Sequence, residues 1–425
     1  MRTAKRFALG LVIGLSMFIC LAGALAATPD PQFAYSILHN FAGGESDGFQ
    51  PFGSLTLAGS TLYGMTSGGR NSYCGTVFKI NPDGTGYQIL HSFELPENGT
   101  DGGTPKGSLT LSGSTLYGFT TDGSGPPAWT LGGGTVFKIN TDGTGYQDLF
   151  GFGGNTAGVP LYPAGTPVIS GSIIYGMASG YYGGNGNGGV FQINTDGTGC
   201  KLLHAFGGPP SDGANPFGSL TLVGSKLYGM TRWGGSLGGS GGYGVIFSMN
   251  TDGTGYQILH NFAGQPSDGN NPQQGALTLV GSRLYGMTSA GGAGGGVIFS
   301  INLDGNGYQI LFDFSKVNIN NPYLLNGPLG SLTFSGAKLY GMAHGGGHYT
   351  GGGVFQINLD GTGFRPLHYS NSFSGDGAGP WGDVTLVGSR LYGMTYGGGT
   401  SSDGVIFSCQ TPQSDAAIMQ LLLLQ

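Results

Sequence analysis

Apolar positions fall in short runs of β-branched and aromatic residues, cut by glycine, serine and aspartate, and no run keeps a helical period. Residues 275–279, 283–288, 297–302 and 308–314 show the pattern, and it predicts four successive strands, here called A to D. A and B are joined by Val280-Gly281-Ser282, and C and D by residues 303–307, whose Asp304-Gly305 pair is a strong hairpin signal. The D-to-A and B-to-C links, such as 263–274 and 289–296, are longer and vary in length along the chain. With 91 glycines and no Gly-X-Y period, the composition fits many tight turns and long, flexible loops between short strands.

The four-strand pattern recurs. Strand B carries an aliphatic residue, tyrosine and glycine seven times, with the tyrosines at Tyr63, Tyr117, Tyr175, Tyr228, Tyr285, Tyr340 and Tyr392. Propeller blades repeat at roughly 40–50 residues, and a spacing slightly above that predicts an all-β fold: a seven-bladed β-propeller of four-stranded antiparallel blades. The chain ends support closure. Tyr35 to Phe41 reads as a D strand with no A, B or C before it, and the last repeat, through residues 383–387, 390–395 and 404–408, has no D. The N-terminal strand is therefore expected to complete the last blade.

Arg2, Lys5 and Arg6 precede an apolar stretch from Phe7 to Leu25 that ends in Ala24-Leu25-Ala26, so residues 1–26 read as a cleaved signal peptide. Residues 27–410 form the propeller, and 411–425 are a tail of unclear role. The mature chain is expected to be secreted or at the cell surface, monomeric and without a transmembrane span. Only 8% of residues are charged and the net charge is −6, which removes nucleic acid and anionic bilayers as partners. Cys74, Cys200 and Cys409 sit at different places in different repeats and form no disulfide framework; whether any two pair is open.

The ordered motifs LYGMT, a glycine-rich loop, GxVFxIN, xDGTG and YxxLHxF resemble the choice-of-anchor tandem-repeat, or GloVer-repeat, family over nearly the whole mature chain. The resemblance implies a bacterial repeat protein with variable surface anchoring. It implies no reaction.

Thirteen aspartates precede glycine, and Asp83, Asp142, Asp196, Asp252, Asp304 and Asp360 share the C-to-D turn, where turn geometry explains them. Asp47, Asp101, Asp212, Asp268 and Asp376 lie in D-to-A loops, where calcium ligation is an alternative to turn formation. His39, His91, His204, His260 and His368 share one position of strand D, which holds Phe150 and Phe312 in the other copies and so reads as packing. His344 and His348 share a B-to-C loop but lack a third ligand. The three glutamates, Glu45, Glu94 and Glu97, provide no separated acid pair for glycoside hydrolysis. The seven LYG tyrosines read as packing between sheets. No catalytic residue, metal ligand or cofactor is predicted.

D-to-A and B-to-C links emerge on one face, and aromatics concentrate there. Trp129, Tyr181, Tyr182, Trp233, Tyr349, Trp381 and Tyr396 are the predicted ligand-binding residues. A low-charge aromatic face suits stacking on neutral sugars or contact with a protein, so the expected function is a binding module for an extracellular polysaccharide or surface protein. A structural surface component, or a secreted enzyme acting on a polysaccharide, is the alternative.

Overall fold

A computed structural model describes residues 34–412, apart from 45–46, 70–73, 95–100, 124–131, 154–157, 159, 181–185, 240, 316–323 and 374. The proposed signal peptide, residues 413–425 of the C-terminal tail, Trp129, Tyr181 and Tyr182 lie outside the described residues. Those described form strands and turns and no helix.

Seven antiparallel sheets follow one another, each in the order A, B, C, D. The first blade is Thr56–Ala58, Thr61–Thr66, Thr76–Ile80 and Gln88–Ser92. The last contains Thr385–Val387, Arg390–Thr395 and Val405–Gln410, and its D strand is Tyr35–Asn40, paired antiparallel with Val405–Gln410 from Tyr35↔Cys409 to Asn40↔Val405. The ring is closed by the N-terminal strand, as expected.

The C–D register shifts once in every blade, just before the histidine or phenylalanine of strand D, as between Ile37 and His39 or Ile258 and His260. A bulge re-aims the next side chain. It turns that ring toward the adjoining blade, a feature that regular alternation does not reveal.

Seven buried clusters each join two neighbouring blades. One sets Tyr63, Met65 and Val77 against Leu116, Phe137 and Ile139, and the closing one sets Phe41, Tyr392 and Ile406 against Leu62, Phe78 and Ile80. The LYG tyrosines are buried here, and some reach a backbone carbonyl of the next blade, as Tyr63 donates to Thr141 O at 3.2 Å. Their glycine has a steric cause: a Cβ on Gly64 would lie 2.5 Å from the ring of Phe78 on the paired strand C. The LYG and GxVF motifs are thus two halves of one contact.

The long links are ordered at their roots. Beyond the axis the A–B pairing resumes as two-residue ladders, Gly213–Ala214 with Trp233–Gly234, Gly269–Asn270 with Ala290–Gly291, and Gly377–Ala378 with Gly397–Gly398. Cys74, Cys200 and Cys409 remain thiols, buried or half-buried.

Candidate functional site

The polar residues flagged in the sequence divide by position. Asp83, Asp142, Asp196, Asp252 and Asp360 are fully exposed turn formers whose Oδ1 accepts the amide and hydroxyl of the threonine two residues on. The loop aspartates do something else. At five of the seven blade junctions, the strand-D histidine stacks on a tyrosine of the next blade, with ring centroids 3.6–3.7 Å apart: His39 on Tyr87, His91 on Tyr146, His204 on Tyr256, His260 on Tyr308 and His368 on Tyr35. The aspartate of the connecting loop binds both rings at three junctions, through Asp47, Asp212 and Asp268, whereas Asp101 accepts from Tyr146 Oη with His91 Nε2 at 3.3 Å and Asp376 accepts from His368 Nε2. Asp268 accepts from His260 Nε2 at 2.9 Å, Tyr308 Oη at 2.5 Å and the amides of Ala263 and Gly269 at 2.9 and 2.6 Å.

Four donors occupy the Asp268 carboxylate, so its oxygens serve the seam between blades. The two remaining junctions lack the triad: Phe312 stacks on Phe364 at 4.0 Å, and Phe150 meets Cys200 in one apolar cluster.

These bonds set the acid sensitivity. Burial opposes ionisation of Asp47, Asp101, Asp212, Asp268 and Asp376, but bonds from the histidine and other donors outweigh it and hold each carboxyl below its usual range. A carboxyl depressed in the folded state stabilises fully above its unfolded value, about 3.9, and loses that contribution as pH falls through the folded value. The urea midpoint is therefore expected to fall steeply below about pH 4. Asp268→Asn should flatten that fall, and an unchanged slope would contradict this role. Asp148 has the opposite sign: burial pushes it up to about 6, and the one proton of Tyr146 Oη faces both Asp148 and Asp101.

The propeller axis is built from a triplet the repeat motifs did not include. Six copies enter strand A through Pro-x-Gly, and the fifth has one extra residue, Pro272-Gln273-Gln274-Gly275. The glycines form a closed ring: a Cβ on Gly53, Gly107, Gly165, Gly218, Gly275, Gly330 or Gly382 would lie 1.7–2.5 Å from the carbonyl oxygen of the next, and Gly382 returns to Gly53. A girdle of bonds follows one residue later. Ser54 N donates to Ser108 Oγ at 2.7 Å, Thr166 N to Ser219 Oγ at 2.7 Å, Ser331 N to Asp383 Oδ1, and Asp383 N to Ser54 Oγ at 2.6 Å; Ala276 leaves one gap.

Four of the x residues line the axis: Phe52, Lys106, Gln274 and Trp381. Trp381 and Tyr396, both predicted, come together here on Phe52, with centroids 5.0 Å (Phe52–Trp381) and 4.9 Å (Phe52–Tyr396) apart, and His344 meets the Trp381 edge at 5.0 Å. Burial lowers the basicity of His344, and its Nδ1 is buried without a hydrogen bond.

Trp233 is 41% exposed in the fourth blade, with the Arg232 guanidinium 5.0 Å from its centroid and 5.7 Å from that of Phe217. Tyr349 is 38% exposed beside His348, and its carbonyl accepts from Ser372 next to the 85%-exposed Phe373. Among the described residues, the predicted aromatics Trp233, Tyr349, Trp381 and Tyr396 stand in long links, and of these only Trp381 and Tyr396 come together. Phe52, Phe217, Arg232 and Phe373 join the candidates, and the variable x of Pro-x-Gly holds the first two.

The sequence matches the Gloeobacter/Verrucomicrobia repeat over residues 25–238 and 236–421. The chain belongs to that family. No curated protein matches it. Among solved structures, this repeat protein is similar to a chain from a nidogen/laminin complex, at 13% identity and TM-score 0.41 over 70% of this chain and 91% of that one. It is also similar to a prolyl endopeptidase, at 10% identity and TM-score 0.46 over 86% of this chain and 51% of that one. Likenesses this distant transfer no function.

Proposed function

We propose that this propeller is an exported binding module that takes a neutral polysaccharide on its long-loop face. The observation that carries the reading is the contiguous aromatic surface of Phe52, Trp381 and Tyr396 at the axial mouth. Trp233 and Tyr349 are exposed in other long links. Aromatic faces stack on the apolar faces of sugar rings at low entropic cost, and the chain's few charges suit an uncharged polymer. Export is supported by the basic, apolar and small-residue order of residues 1–26. Among the described residues, no helix is long and apolar enough to cross a membrane.

The test is tryptophan fluorescence of the mature protein titrated with soluble neutral polysaccharides. A saturable shift is expected with one polymer, and Trp233→Ala should weaken its affinity about tenfold, a loss of about 1.4 kcal/mol, while the thermal midpoint stays put. Binding unaffected by Trp233→Ala and by Tyr396→Ala would remove the aromatic face from the reading. No shift with any polymer would favour a protein partner.

A further inference from the structure

The cavity on the propeller axis, whose Phe52 and Trp381 enter the reading above, also has polar groups with no role there. It measures about 20 Å³, room for one water-sized occupant. Its wall is oxygen-rich, formed by the hydroxyls of Ser54, Ser108, Thr166, Ser219 and Ser331 and by Asp383. Each of these hydroxyls accepts an amide N–H from the preceding blade, which leaves it one further lone pair and its own proton. Asp383 is the departure from pattern, because every other copy has Ser, Thr or Ala at this position.

The Asp383 carboxylate is held by the Ser331 amide and by the Ser331 and Ser54 hydroxyls, and no charged side chain balances it. Lys106 borders the same cavity but forms no ion pair with it. A half-buried carboxylate without a counter-charge still carries a desolvation cost, and burial accordingly pushes this one up. A counter-ion from solution would remove that cost.

We propose that the axial cavity binds a single calcium ion, with Asp383 as its one charged ligand and ring hydroxyls as neutral ones. Carboxylate and hydroxyl oxygens are hard ligands, which favours calcium, magnesium or sodium over the softer transition metals. Calcium tolerates an irregular oxygen set, whereas magnesium demands a near-ideal octahedron. One carboxylate sets a weak site, of the order of 10⁻⁴–10⁻³ M, the range of extracellular modules.

The experiment uses EDTA-treated mature protein and Tb³⁺ luminescence excited through Trp381, which borders the cavity, with Ca²⁺ as competitor. One saturable Tb³⁺ site per chain is expected, displaced by millimolar Ca²⁺ and not by equal Na⁺. The signal should disappear in Asp383→Ser and in Asp383→Asn. The serine variant installs the residue found in four other blades and keeps an acceptor for the Ser331 amide, so its ring should close. Ca²⁺ should raise the thermal midpoint of the wild type and leave that of Asp383→Ser unmoved. The proposal fails if the wild type gives no saturable signal, if Na⁺ competes as well as Ca²⁺, or if both variants bind like the wild type.

Discussion

Gly107→Ala is expected to prevent the ring from closing. Its new Cβ would lie 1.7 Å from Gly165 O and 2.3 Å from the Gly165 carbonyl carbon. Those atoms are backbone, so no rotamer change relieves the clash. Gly165 has the same contact with Gly218, and a shift at one blade is passed to the next around a closed circle. Overpacking in a yielding core costs about 1–3 kcal/mol. Here the neighbour cannot yield without opening hydrogen bonds at Ser54, Ser108 and Thr166, so the loss should exceed that range. Gly241→Ala is the matched control, because nothing lies within 4 Å of its added Cβ. The measurement is the urea unfolding midpoint of both variants. Gly241→Ala should stay at the wild-type value, while Gly107→Ala should be insoluble or unfold at far lower urea. A Gly107→Ala protein with an unchanged midpoint would show that the axial ring is not under steric control.

The contrast between what the repeats announce and what they hide has a physical origin. Blade number, strand order, closure by Tyr35–Asn40 and the packing role of the LYG tyrosines were legible, because each depends on local alternation of apolar and turn residues. The seam triads were not, because they join three separate segments across two blades. Their signal was nonetheless present. His39 and Asp47, His204 and Asp212, His260 and Asp268, and His368 and Asp376 all stand eight residues apart. Both copies with phenylalanine at the histidine position also lack the partner tyrosine, having Cys200 and Phe364 there. Reading the phenylalanines as evidence of packing was sound, but the coupled loss of tyrosine marked a polar bond as well. At the mouth, aromatic residues were found by enrichment alone. Phe52 and Phe217 stand at the variable position between a repeated proline and glycine, and a residue that differs from copy to copy carries no repeat signal.

The second large effect lies at a seam. Asp268→Ala is expected to destabilise the propeller by about 3–5 kcal/mol, the range for breaking one partner out of a buried charged network. The loss comes mainly from what is left behind. Tyr308 Oη, His260 Nε2 and the amides of Ala263 and Gly269 would all lose their acceptor between two blades, and each stranded donor costs about 1–3 kcal/mol unless water reaches it. The chain itself contains the comparison. Where Phe312 stacks on Phe364, the ring pair is kept and its polar groups are gone. The triple variant His260→Phe, Asp268→Ala, Tyr308→Phe should therefore be more stable than Asp268→Ala alone, despite carrying two more substitutions. It should not regain the wild-type midpoint, because the Ala263 and Gly269 amides remain unpaired. Equal urea midpoints for the single and triple variants would mean that the side-chain donors are hydrated and that the seam is held by ring stacking alone.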